Sequence, residues 1–189
     1  MVAERRDPLR IWTVGHSTRT ADELIEILRG SRIGRVVDVR RWPVSRRYPH
    51  FSQEALAPAL SAAGIEYAHE IDLGGRRDPR ADSPNGALRS PPFRGYADHS
   101  ATPEFQTALA RVLATAQDRR TALLCAEAEP TRCHRSVLSD VVVLRGWTVI
   151  HLVAADRAHR HAKHPRAIVR SDGTVVWPKA GDEAPGLWT

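Results

Sequence analysis

Thr121-Ala-Leu-Leu-Cys125-Ala-Glu-Ala-Glu-Pro-Thr-Arg-Cys133-His-Arg135-Ser-Val-Leu-Ser-Asp-Val-Val-Val-Leu-Arg145-Gly-Trp-Thr148-Val-Ile-His-Leu-Val153 is the stretch that decides the fold. Residues 121–125 are a short apolar run of strand length, and 148–153 are a second one. Between them, Val137, Leu138, Val141 and Val142 recur at helical spacing over 133–145. Strand, loop, helix, strand is the βαβ unit, whose two strands lie parallel in one sheet.

Working outward, the same alternation repeats. Residues 11–15 form a buried strand ended by Gly15. Thr20-Ala-Asp-Glu23 has capping-box spacing, and Leu24, Ile27 and Leu28 share one helical face before Gly30. Residues 35–39 are the next strand. A proline-rich loop follows, and Ser52 caps a helix carrying Leu56, Ala59, Leu60 and Ala63, with Pro58 inside it predicting a kink or a break. A short strand is expected at 65–69. Residues 72–101 read as a long loop, since four prolines and Gly74-Gly75 leave little periodicity. Thr102-Pro103-Glu104 opens a helix bearing Phe105, Leu109, Val112 and Leu113. Arg157–Arg166 reads as a solvated basic segment, and 167–177 as a hairpin turning at Ser171-Asp172-Gly173. The fold class is therefore α/β: a mostly parallel sheet with helices on both faces, in a single domain with a C-terminal hairpin-like tail. Residues 11–153 form that domain, and 154–189 are a basic extension expected to pack on it.

Composition agrees with a globular chain. Its 189 residues, 42% apolar and 26% charged, can bury about 70% of the surface an unfolded chain exposes. There is no apolar run of membrane-spanning length, and the N-terminus, Met-Val-Ala-Glu-Arg-Arg-Asp-Pro, is too polar for a signal peptide. A cytoplasmic, membrane-free protein with reduced thiols is the expectation. The formal charge of +6 permits a phosphate-bearing partner, although all but two of the 28 basic residues are arginines, a bias that genome composition also produces.

In a parallel sheet, ligands bind beyond the carboxyl ends of the strands, so the polar segments there are the candidates. Cys125–Arg135 places a thiol, carboxylates and Cys133-His134-Arg135 within one loop. Cys125 is either a nucleophile or a small core residue, and Glu127 is the candidate acid/base. His16 and Ser17 follow the first strand. Asp38, which must be paired if buried, ends the second beside Arg40. Cys125, Glu127, His16 and Asp38 are thus the catalytic candidates, with Cys125 ranked above Cys133. Arg40–Phe51 interleaves arginines with aromatics, the composition of a phosphate- and base-contacting surface, in which Arg41, Arg46 and Arg47 are the nucleic-acid contacts. Two thiols, an imidazole and a carboxylate are zinc-like donors, but Cys-x7-Cys-His lacks the short hairpin of common zinc motifs, so no metal and no cofactor is the expectation.

Thr13-Val-Gly-His-Ser17, Asp38-Val-Arg40, Pro43-x-Ser45, Leu73-Gly-Gly75, Phe93-Arg-Gly-Tyr-Ala-Asp98 and Leu124-Cys-Ala-Glu127-x-x-Pro130-x-x-Cys133-His-Arg135 together resemble, in order over about residues 11–153, the bacterial and archaeal family known as domain of unknown function 488. The resemblance implies a small α/β domain with an enzyme-like pocket and brings no substrate. Carried over residue by residue, it adds Ser17, Ser45, Tyr96, Asp98, Cys133, His134 and Arg135, with Arg40, as substrate-binding candidates. The expected function is an enzyme acting on a nucleotide or nucleic-acid component. A non-catalytic nucleic-acid-binding module and a thiol redox or metal-dependent protein are the alternatives.

Overall fold

A computed structural model describes residues 9–182. The polar stretch 1–8 and residues 183–189 of the extension lie outside the described residues. Six strands form one sheet in the order β3-β2-β4-β1-β5-β6, where β1 is Arg10–Gly15, β2 Arg35–Asp38, β3 Glu66–His69, β4 Thr121–Cys125, β5 Thr148–Ala154 and β6 Arg157–Arg160. The first five run parallel, and β6 pairs antiparallel with β5 at the edge.

Alternate residues of each strand feed two cores. Trp12, Val14, Val36, Ala122 and Leu124 meet α1 (Ala21–Gly30) and α2 (Gln53–Ala62) on one face. Ile11, Val37, Leu123, Cys125 and Val149 meet α3 (Pro91–Ser100), α4 (Pro103–Ala116) and α5 (Arg135–Leu144) on the other. Each large apolar side chain so buried contributes about 1.5–3 kcal/mol. The capping box of Thr20 and Glu23 is formed, and Thr102 caps α4. Helix α2 passes through Pro58 as one continuous helix, because five residues precede the proline and the deleted bond falls in the second turn, where Leu56 and Leu60 hold the buried face.

Two expectations change. The stretch 72–101 contains helix α3, started by Pro91-Pro92 at its first positions, where a missing N–H costs nothing. Its buried residues are Gly95, Tyr96, Ala97, Asp98 and Ser100, so it has no apolar stripe to show as periodicity. The second is that part of the basic segment after Ala154 forms a strand: β6 extends the sheet edge with its residues exposed, and the hairpin of β7 (Ile168–Val169) and β8 (Val175–Val176) ends in a fully buried Trp177. No helix among the described residues is long and apolar enough to cross a membrane.

The chain leaves β1 toward β2 on one side of the sheet and leaves β4 toward β5 on the other, while β1 and β4 are neighbours. That pair is the topological switch point, where an open α/β sheet leaves a crevice.

Candidate functional site

At the carboxyl ends of β1, β2 and β4 lies a cleft of about 1090 Å³, a volume at the upper end of small-molecule sites. Its floor is the junction of two loops. His16 N donates to Cys125 O at 2.9 Å and Ser17 N to Ala126 O at 2.8 Å, which keeps the β1 and β4 exits zipped together. The approach requires glycine at 15: a Cβ there would stand 1.7 Å from the Glu127 carbonyl oxygen. Ser17 follows in the left-handed region, φ 52°, which a non-glycine residue adopts at some cost.

Cys125, Cys133 and His134 form the sulfur end of the floor. A short 3-10 turn, Pro130–Arg132, carries the chain back so that Cys133 Sγ is 3.1 Å from Cys125 Sγ. His134 Nδ1 is 3.7 Å from each sulfur. Its Nε2–H donates to Val39 O at 3.0 Å, and its ring lies against Tyr96 at 4.7 Å. Bonding to Cys125, with His134 and Arg135 alongside, holds Cys133 well below the ordinary thiol pKa against the opposing effect of burial. The same bond, together with burial, raises Cys125 well above it. The Arg135 Nε–H also reaches Cys133 Sγ, at 3.5 Å.

Arg40 is held from three sides. Asp38 receives its Nε–H at 2.9 Å and its Nη2–H at 2.5 Å, and also the Tyr67 hydroxyl at 2.8 Å. Burial disfavours the Arg40 charge, but the paired carboxylate more than offsets it and raises the pKa. Arg40 Nη1 donates to His16 Nε2 at 3.3 Å, while His16 Nδ1–H donates to Ser17 O at 3.0 Å. Burial and then the Arg40 charge lower the His16 pKa to about 4, so the ring, stacked on Phe51 at 4.2 Å, is neutral near pH 7.

Of the candidates read from sequence, His16, Ser17, Arg40, Arg41, Ser45, Arg47, Cys125, Glu127, Cys133 and His134 line the cleft. Asp38 does not; it is fully buried behind Arg40 with its oxygens engaged. Arg135 is also turned inward, donating to Thr13 Oγ1 at 3.1 Å and to the Glu127 and Ala128 carbonyls. The β4–α5 loop needs those carbonyls satisfied, which removes Arg135 as an anion clamp. Asp98 binds Arg80 N, Ser83 Oγ and Asn85 Nδ2, pinning the 80–85 loop, and Tyr96 donates to Leu73 O. Arg46 is exposed and does not line the cleft. Sequence reasoning missed Arg76 and Phe93 as lining residues, because both sit in the segment read as irregular, while the exposed Trp42 belongs to the arginine and aromatic stretch expected to contact ligand.

A polar chain behind the floor was also missed. Arg135 donates to Thr13 Oγ1, which is 2.7 Å from His151 Nδ1; His151 Nε2 is 2.9 Å from His161 Nδ1, and His161 Nε2 is 2.8 Å from Asp140 Oδ1. With each hydroxyl and imidazole donating onward, the chain runs from the Arg135 cation to the Asp140 anion with every proton accounted for.

The geometry offers a cationic cleft, a carboxylate at Glu127 with no side-chain hydrogen bond among the described residues, and two thiols facing an imidazole. No curated protein and no solved structure matches the chain. A family model, "Domain of unknown function DUF488", matches residues 20–142; Thr13–Ser17 precede that match. Since the match covers more than half of the sequence and includes the Asp38–Arg40 and Cys125–Arg135 segments, the chain belongs to this family of α/β domains of unknown function.

Proposed function

We propose that the chain is an intracellular enzyme acting on a nucleotide or nucleic-acid component in this cleft. The observation that carries the reading is the lining: Arg40, Arg41, Arg47, Arg76 and Arg132 surround it with Glu127 as the single carboxylate, and Trp42, Tyr48 and Phe93 supply aromatic faces. Arginines seat phosphate oxygens and aromatic faces stack bases. Arg40, locked by Asp38 and His16, is the pre-oriented clamp, and pre-orientation spares the entropy of ordering a side chain on binding. Glu127 makes no side-chain hydrogen bond or ion pair among the described residues, which leaves it free to transfer a proton near the sulfur and imidazole end.

Titration with nucleoside phosphates and single-stranded oligonucleotides at several salt concentrations tests the binding half. Each phosphate contact contributes a slope of about −0.7 in log affinity against log salt for single strands. Replacing Arg41 and Arg47 together by Gln should lower that slope by about 1.4. A salt-independent response, or none at low salt, excludes a phosphate-bearing ligand. Glu127→Gln separates an enzyme from a binding module. It should leave binding intact and, against a substrate found by screening, lower turnover by about 100- to 10,000-fold.

A further inference from the structure

We propose that Cys125, Cys133 and His134 form a zinc site of the open, three-ligand kind, its fourth position facing the cleft. The three donor atoms lie within 4.8 Å of one another. Tetrahedral zinc with Zn–S of about 2.3 Å and Zn–N of about 2.0–2.1 Å places sulfur and nitrogen about 3.6 Å apart, and two sulfurs about 3.8 Å apart. Both sulfur–nitrogen separations here are 3.7 Å, and the sulfur pair, at 3.1 Å, has to widen by about 0.7 Å, within reach of a small side-chain rotation.

The imidazole is set for a metal before one arrives. Its Nε2–H is committed to Val39 O, which fixes the tautomer with the Nδ1 lone pair directed at the two sulfurs. A backbone carbonyl holding the far nitrogen is the outer-shell arrangement of metal-bound histidines. Arg135 gives Cys133 Sγ an outer N–H partner in the same way. Two thiolates and a neutral imidazole carry the charge that balances a divalent ion, and this soft set selects zinc over magnesium or calcium. Sequence spacing argued against a metal because seven residues separate the cysteines, but the 3-10 turn over Pro130–Arg132 closes that gap in space. All three residues line the cleft, so the vacant fourth position opens on the ligand side, as in catalytic rather than structural zinc sites. A water held there would be polarised by the metal, and Glu127 lines the same cleft without joining the donor group. The inference does not depend on what the cleft binds.

The test uses the full chain, purified under reducing conditions. Competition against a chromophoric zinc chelator should show one zinc per chain, and cobalt substitution should show a thiolate-to-cobalt charge-transfer band with tetrahedral visible absorption. Cys133→Ser, Cys125→Ser and His134→Ala, each confirmed folded by circular dichroism, should each weaken zinc by more than about 100-fold, beyond what loss of an outer-shell partner does. The cobalt spectrum of the unaltered protein keeps the test decisive if a variant misfolds. A reduced, folded chain that binds no zinc, a cobalt spectrum without sulfur charge transfer, or cysteine variants with unaltered affinity would each overturn the site. Nucleotide titration of the metal-free protein reads the cleft separately.

Discussion

Arg40 is buried to 6% exposure, and the oxygens of Asp38 are what make that burial tolerable. Asp38→Asn removes the countercharge and leaves a largely buried guanidinium at the cleft floor without a carboxylate partner. Breaking one side of such a pair costs about 3–5 kcal/mol, and urea unfolding of the variant should show a loss of that size. A loss below about 1 kcal/mol would mean that Arg40 swings into the cleft and is not locked in place. The cleft-lining positions of His16, Arg40 and Cys125 were legible because a strand end in a parallel sheet fixes where its next residues point, and those of Cys133 and His134 from the loop motif shared with the family. Those of Asp38, Asp98 and Arg135 were not, since a motif does not say whether a charged side chain faces solvent or a buried partner. Asp38 is consumed by its near neighbour Arg40, the pairing that its burial required, and by Tyr67; Asp98 by the 80–85 loop; and Arg135 by Thr13 and the carbonyls of its own loop. Gly15 was read as a turn residue, but its stricter role is to admit the Glu127 carbonyl, so Gly15→Ala should disrupt the cleft floor and abolish ligand binding even where the fold survives.

Among the elements, strands β1, β2, β4 and β5 and helices α1, α4 and α5 were legible because apolar periodicity marks them, and capping residues add to it at α1 and α4. Helix α3 and strand β6 were not. The first buries polar and small residues, and β6, fully exposed on its outer side, owes its existence to the β5 edge and not to its own pattern. Trp177 is a main fastening of the tail: its Nε1 donates to Asp140 Oδ2 at 2.8 Å, its N–H goes to Asn85 Oδ1 at 3.0 Å, and its carbonyl accepts from Ala87 N. Trp177→Ala removes a fully buried ring and one partner of a buried carboxylate. The expected destabilisation is about 3–5 kcal/mol by denaturant titration, with the tail becoming protease-sensitive. A near-neutral variant would show that the hairpin is an ornament on the domain and not part of its core.

For the whole molecule, the polar chain from Arg135 to Asp140 ties the cleft floor to the C-terminal extension across β1 and β5 toward the β6 edge, and its stability depends on His151 staying neutral. Burial first, then the neighbouring His161, Arg135 and His159, lower the His151 pKa to about 3, with Cys133 acting weakly in the opposite sense. Asp140 faces the next imidazole along, His161. In the unfolded chain the same group titrates near 6.5. Between those values the unfolded state takes up a proton that the folded state refuses, so the contribution is complete above about pH 6.5 and is lost as pH falls toward 3. The slope approaches 1.4 kcal/mol per pH unit, which makes the loss at pH 5 about 2 kcal/mol relative to pH 7. Urea unfolding at both pH values should show it. Other groups contribute to the raw difference, so the decisive quantity is the comparison with His151→Asn, which cannot titrate and whose amide can still bond to Thr13. The variant is less stable at pH 7, yet its own loss between pH 7 and pH 5 should be about 2 kcal/mol smaller than that of the unaltered protein. Equal losses in the two proteins would mean that His151 becomes protonated within the fold as readily as outside it. The chain of hydrogen bonds would then admit a second charge beside Arg135, contrary to the proton assignment that its geometry imposes.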